Sequence, residues 1–299
     1  MKDIFEVAFG SITGNDHRWS GRNNQDACHC LIHDQAIIAT VCDGCSESKH
    51  SEVGAKIGAR LITEGIQKYI EEHEDLLRAV RERKSCTWSK ALKTIWGFVL
   101  EQARQYAIAH LQILAAAMGE DPVQTVSGYF LFTAVGAIIT GGETVVFSIG
   151  DGVFIVNGEI SQIGPFPKNE PPYLAYGGLV NSSLGKEHPE LLKFQLHKVM
   201  PTEEVETVLI GTDGVAELIE VAKQQMPGKE ETVGPISQFW LDDRYFLNRD
   251  MIRRKLFLVN REMTKPIWDE KRLSREKALL PDDTTLVVIR KKTQEREEE

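Results

Sequence analysis

The pair Gly141-Gly142 splits one apolar stretch into GYFLFTAVGAIIT and ETVVFSI, and Asn157-Gly158 interrupts the next, VFIVNGEISQI. Such dipeptides supply the positive φ angles of two-residue hairpin loops. Residues 128–163 are therefore held to hairpin-connected strands, because a parallel crossover needs a dozen or more residues. Nothing else in the chain restricts its fold as tightly. KDIFEVAFGSIT, ACHCLIH and AIIATVC read as short strands in the first forty residues or so, FQLHKV and TVLIGT as strands further on, and TLVVIR as the last strand. Helical patterns occupy residues 51–80, 88–118 and most of 215–275. Strands and helices that come in separate blocks predict an α+β fold of antiparallel sheets with helices apart from them.

In the first helical block Val53, Ile57, Leu61 and Ile66 supply the apolar spacing, with Ser48 or Ser51 as N-cap. In the second, Leu92, Ile95, Trp96, Val99, Ala103, Tyr106 and Ile113 do so, and both helices are expected to pack on a flat surface. Residues 164–205, rich in Pro, Gly and Asn, read as irregular surface structure. With no internal repeat and no linker, residues 1–292 are expected to form a single domain, followed by a charged tail, 293–299.

The 299 residues, 42% hydrophobic and 26% charged, suffice for a sizeable core. No apolar run is long enough to span a bilayer. The start, MKDIFEVAFGSITG, lacks the apolar core of a signal peptide. A cytoplasmic protein without membrane contact is the expectation. A formal charge of −9, from 35 basic and 44 acidic residues, argues against a nucleic-acid surface. Five cysteines suggest free thiols. Cys28-x-Cys30 with Cys42-x-x-Cys45 could form a four-thiolate zinc site, but Cys28 and Cys30 would share one strand face and Cys42 lies in an apolar run. Buried or half-buried thiols are the preferred reading.

Three apolar strands end in the same way: AIIATVC in Asp43-Gly44, ETVVFSIG in Asp151-Gly152, ETVLIGT in Asp213-Gly214. Asp282-Asp283 stands just before the last strand and Asp26 just before ACHCLIH. One Asp-Gly is an ordinary turn. Several carboxylates at one end of a sheet would repel each other unless divalent cations lay between them. Oxygen ligands with few histidines suit Mg²⁺ or Mn²⁺, and a glycine beside each Asp lets a backbone carbonyl approach. Such cations suit hydrolysis of a phosphate ester.

GRNNQDA, VCDG, FSIGDG, IGTDGVAEL and PDDTTLVVIR, in this order over residues 21–290, resemble the motifs of the metal-dependent protein phosphatases of type 2C, most closely their bacterial branch. The resemblance implies a four-layer α-β-β-α sandwich of two antiparallel sheets flanked by helices. It implies a serine/threonine phosphoprotein phosphatase with two core Mn²⁺ or Mg²⁺ ions and a third, weaker site. A hydroxide bridging the two ions would attack phosphorus directly. Asp43 would bridge the ions with help from the Gly44 carbonyl, and Asp213 and Asp282 would hold the second. Asp26 would hydrogen-bond metal-bound water, Asp151 with Asp213 would form the third site, and Asp283 would support. The substrate would be a phosphorylated protein, opposed by a Ser/Thr kinase.

The chain departs from the family pattern twice. The phosphate-clamping arginine expected five residues before Asp26 is Gly21, with Arg22 one place later. Cys45 stands where some members carry a histidine that protonates the leaving group, so a metal-bound water or His50 enters consideration. Between the third and fourth acidic motifs, residues 164–200 fall where relatives carry a variable flap that helps select substrate. Two other functions compete: a catalytically silent binding module of the same fold, which could dispense with the aspartates, and a small-molecule phosphohydrolase. No P-loop pattern supports nucleotide use.

Overall fold

A computed structural model describes residues 1–82, 88–119, 121–166 and 170–292. The tail 293–299, residues 83–87 and 120, and residues 167–169 of the 164–200 segment lie outside the described residues. β1 (Phe5–Ile12) leads through a short helix, α1 (Asn15–Ser20), to β2 (Ala27–Ile32) and β3 (Ala36–Gly44). Helices α2 (Ser51–Glu72), α3 (Glu74–Glu82), α4 (Trp88–Met118) and α5 (Pro122–Tyr129) follow. Then come β4 (Phe132–Thr140), β5 (Glu143–Ile149), β6 (Gly152–Val156) and β7 (Glu159–Ile163). After α6 (Ser183–Glu187) the chain forms β8 (Gln195–Pro201), β9 (Thr207–Gly211) and α7 (Gly214–Glu220). Two single-turn helices, α8 (Gln238–Leu241) and α9 (Arg244–Leu247), precede α10 (Met251–Val259). The hairpin β10 (Met263–Ile267) and β11 (Arg272–Glu276) leads to β12 (Thr284–Lys291).

Two five-stranded antiparallel sheets result, in the orders β1-β12-β9-β6-β7 and β2-β3-β4-β5-β8. Both two-residue turns form hairpins, β4 with β5 and β6 with β7. At the second, Asn157 and Gly158 have φ of 51° and 83°, as the turn type requires. Between β5 and β6 the chain crosses from one sheet to the other, at Gly150-Asp151-Gly152.

Side-chain alternation along each strand builds four layers. In β3, Ile37, Ala39 and Val41 enter the core between the sheets, with Val287 and Ile289 of β12 and Ile210 of β9. Ile38 and Cys42 point the other way, onto α2 and α4. Leu209, Leu286 and Val288 of the first sheet pack on α7 and α10 through Val215, Leu218, Ile252 and Leu256. Strands buried on both faces read as continuous apolar runs, which is why AIIATVC shows no polar alternation. Each fully buried Ile or Leu contributes about 1.5–3 kcal/mol.

Several sequence expectations need correction. The buried stripe of α2 is Ala55, Ala59, Ile62 and Ile66; Val53, Ile57 and Leu61 are only half-buried. Glycine lets this helix approach the sheet: a Cβ on Gly58 would sit 2.1 Å from the Phe132 ring. Gly58→Val is expected to destabilise the protein by about 2 kcal/mol, read as a lower urea midpoint. Ser51 is the first helical residue rather than the cap, and its hydroxyl donates to the Cys45 carbonyl at 2.9 Å. On α4, Ile113 is 67% exposed and lies outside the packed face. The run GYFLF begins inside α5, which Asp121 caps by accepting from the Val123 and Gln124 amides. Residues 263–276, expected helical, are a hairpin: Pro266 breaks helical pairing, and Lys271 turns the chain at φ 48°. The zinc alternative fails because Cys28 and Cys30 face the inter-sheet core while Cys42 faces the helices. Burial pushes the Cys28 thiol up to about 12. No helix among the described residues is long and apolar enough to cross a membrane.

Candidate active site

Asp43 is the penultimate residue of β3, Asp151 occupies the β5–β6 crossing, Asp213 precedes α7, and Asp282 precedes β12. Asp26 immediately precedes β2. The two sheets thus bring five carboxylates, scattered over more than 250 residues, to one edge of their interface. Burial raises the Asp43 carboxyl well above the ordinary carboxylate range, and the charges of Asp26, Asp213, Asp282 and Asp151 raise it further. Burial, then Asp282 and Asp151, push Asp213 up to about 7. Asp151 and Asp282 are raised as well, mainly by burial.

Asp26 is the most enclosed of the five. Its Oδ2 accepts from the Thr212 hydroxyl at 2.7 Å, whereas Oδ1 is buried and has no partner. Burial and the neighbouring Asp283 carboxylate raise its pKa well above the ordinary value. A buried oxygen left unsatisfied costs about 1–3 kcal/mol. This arrangement suits divalent cations: hard oxygen donors, mutual repulsion to relieve, and an acceptor still free.

Glycine is required at two places. A Cβ on Gly44 would meet Ser51 at 2.8 Å and the Gln25 carbonyl oxygen at 2.9 Å, so the turn after Asp43 lies tight against the Asp26 segment. Gly152, beside Asp151, has φ 141° and packs where a Cβ would lie 2.6 Å from Val135.

Asp283, beside the cluster, is 2% exposed, and its carboxylate is engaged by backbone amides. Its Oδ1 accepts from the Gly14 amide at 2.6 Å, and its Oδ2 from the Gln25 amide at 2.5 Å. It thereby ties β12 to both ends of the α1 segment. Asp283→Asn puts an amide against one of these N–H groups. It is expected to lower stability by about 2 kcal/mol in urea unfolding, and Asp283→Ala by more.

The sequence alone did not point to His17, Thr212 or Glu217. His17 Nδ1 lies 2.9 Å from Asp283 Oδ2, without hydrogen-bond alignment. His17, Asp282 and Asp283 bring one potential ligand atom each within 4.8 Å of one another. The Glu217 carboxylate accepts from the Asp282 amide at 3.3 Å, and burial raises its pKa. Its place four residues after Asp213, on one face of α7, was a legible signal. Thr212 immediately precedes Asp213; nothing in the sequence connects it to Asp26.

Arg22 is exposed, and its Nη1 donates to the Ser46 carbonyl, linking its loop to the turn after Asp43. Cys45 is half-buried beside Tyr173, whose phenol is raised by burial and by a hydrogen bond with the Cys45 thiol. Tyr173 comes from the 164–200 segment, so that segment does reach the turn following Asp43. His50 stands at the start of α2, stacked on Tyr129 at 5.0 Å between ring centres.

Residues 13–243 match the family model for protein phosphatase 2C. The chain belongs to the protein phosphatase 2C family. It is thereby a metal-dependent protein phosphatase by family, as the five sequence motifs implied. The matched region contains four of the five clustered aspartates and ends before Asp282. A bacterial serine phosphatase has a similar structure, with a TM-score of 0.51 and 16% identity, covering 97% of this chain and 99% of that one. A C. elegans sex determining protein gives a TM-score of 0.50 and 12% identity, over 96% of this chain and 64% of that one. At such identities the likeness is one of fold. No curated protein sequence matches the chain.

Proposed function

We propose that this member of the family is a serine/threonine phosphoprotein phosphatase that uses Mn²⁺ or Mg²⁺. The observation that carries the reading is the gathering of Asp26, Asp43, Asp151, Asp213 and Asp282 at one edge of the sheet interface, with a buried Asp26 oxygen left free. Asp43, with the Gly44 carbonyl, would hold both core ions; Asp213 and Asp282 would hold the second, and Asp151 with Asp213 a weaker third. When bound, the ions supply an activated water and balance the charge on the phosphoryl oxygens.

The chain's own residues do the rest. Thr212 fixes Asp26 Oδ2, leaving Oδ1 to accept a proton from water in the site. Asp283 positions the segments on either side of α1. Arg22, at the rim, clamps the substrate phosphate with the guanidinium edge not given to Ser46. Water attacks phosphorus directly, without a phosphoenzyme. Tyr173, from the 164–200 segment, supports a role for that segment in substrate selection. Residues 1–292 act as a single catalytic domain. A cytoplasmic setting, with a Ser/Thr kinase opposing the enzyme, completes the reading, and the free thiols of Cys28, Cys30, Cys42 and Cys45 agree with it.

The test is hydrolysis of p-nitrophenyl phosphate and of phosphothreonine and phosphotyrosine peptides, with Mn²⁺, Mg²⁺ or EDTA. Turnover of the phosphothreonine peptide only with metal supports the reading. Folded protein inert with every metal would leave the silent binding module instead.

A further inference from the structure

A second polar cleft, of about 320 Å³, lies between the end of β1, α1 and α10. Its lining includes Ser11, Thr13, Arg18, Asn24, Arg253 and Asn260, and no carboxylate lines it among the described residues. In a chain of net charge −9 this is a local excess of positive charge.

The donors are free to bind. Ser11 Oγ already accepts from the Asn24 side-chain amide at 2.7 Å and from the Thr285 hydroxyl at 2.6 Å. A hydroxyl with both acceptor positions filled still has its own proton to donate. Arg18 uses Nη1 on the Asn260 carbonyl, and Arg253 uses Nε and Nη2 on Asp250. Each guanidinium keeps further N–H groups. Asp250 also pairs with Arg254, so one carboxylate serves two arginines. Asn260 is held at both ends, its side chain donating to the Thr13 carbonyl and accepting from the Leu280 amide, which fixes the floor of the cleft. The exposed ring of Phe257 forms one wall.

This cleft shares a partition with the carboxylate cluster. Thr13 and Asn24 line it, while the adjacent Gly14 and Gln25 donate their amides to Asp283. Asn24 joins the two sides directly, donating to Ser11 and accepting from the Asp26 amide at 3.0 Å. Two guanidinium groups and a hydroxyl donor match a compact anion with several acceptor oxygens.

We propose that the cleft is a second phosphoryl-binding subsite, taking a phosphorylated residue of the substrate other than the one being cleaved. The inference rests on the phosphatase reading above and narrows its substrate class to multiply phosphorylated segments. Free phosphate has the same chemistry, and the experiment separates the two sources.

The metal-loaded wild type and the Arg18→Glu, Arg253→Glu and doubly substituted variants are compared on p-nitrophenyl phosphate, on a singly phosphorylated threonine peptide, and on peptides bearing a second phosphoryl group two to five residues away. Inorganic phosphate binding is titrated in parallel. The wild type is expected to favour the best doubly phosphorylated peptide by about tenfold in kcat/KM, and to lose that preference at high salt. The variants lose it while p-nitrophenyl phosphate turnover is unchanged, which also shows that they are folded. Two phosphates bound by wild type and one by the variants, without peptide preference, would assign the cleft to free phosphate and overturn the substrate claim. Equal preference and equal phosphate stoichiometry in all four proteins would overturn the subsite. Absence of all hydrolysis in wild type would count against the phosphatase reading alone; binding of the singly and doubly phosphorylated peptides to the four proteins, titrated beside phosphate, then decides the cleft by the same criteria.

Discussion

Asp43→Asn is expected to reduce p-nitrophenyl phosphate hydrolysis by about 10³-fold or more while making the metal-free protein more stable than the wild type at pH 7.5. The two effects share one cause. Asp43 is surrounded by four other carboxylates in a poorly solvated setting, which raises its pKa. A carboxylate raised in the folded state favours folding only when protonated. Its contribution is complete below the unfolded pKa and is lost as pH rises through the folded one. At pH 7.5, above the ordinary carboxylate range, a folded-state pKa shifted upward therefore costs stability, and an uncharged amide of the same shape removes that cost. The gain expected is about 1 kcal/mol, read as a higher urea midpoint in EDTA. It should shrink as pH falls toward the ordinary carboxylate range, because a raised folded-state pKa penalises folding less at lower pH. An inactive variant that was also less stable in EDTA would mean that Asp43 holds the fold rather than a cation.

Metal should reverse the same balance. Mn²⁺ at a hundred times its dissociation constant is expected to stabilise the wild type by about 2.7 kcal/mol, a rise in Tm on the order of 5 °C. Asp213, pushed up to about 7, sets the pH window. Without metal, Tm should rise as pH falls from 8 toward 5.5, because Asp213 takes up a proton on folding. With metal, protons and cation compete for the same oxygens, so the gap between the two forms should narrow over that interval. Differential scanning fluorimetry at four pH values, with Mn²⁺ or EDTA, checks both slopes. A gap that stayed constant with pH would place the cation away from Asp213.

The features legible in the sequence were those fixed by neighbouring residues. Gly141-Gly142 and Asn157-Gly158 specify hairpins through local backbone geometry, and the Asp-Gly corners appear as abrupt ends of apolar runs. Helix α1 gave no such signal: its six residues bury none of their number, so there is no apolar stripe to count. The α2 face was misread because Gly54, Gly58, Ala55 and Ala59 make the contact, and small residues carry little hydrophobic pattern. The hairpin at 263–276 was hidden by charged residues that alternate without an apolar face. In the site, Asp26 meets Thr212 across 186 residues of sequence, and Gly14 meets Asp283 across 269. Pairings of that range exist only once both sheets are assembled, so Thr212 and the bracing role of Asp283 had no local trace. The aspartates themselves stood out through repetition, which is a pattern visible in one dimension.

Asp43 belongs to the second sheet and Asp213 and Asp282 to the first, while the core between those sheets is largely apolar, with side chains such as Ile37, Val41, Val287 and Ile289. A cation gripped from both sides would act as a rivet at one end of this greasy seam. Chelation would then do more than silence the chemistry. It would let that end of the sandwich breathe, and amide hydrogens at the last turns of β3 and the first of β12 would exchange faster than those at the opposite rim.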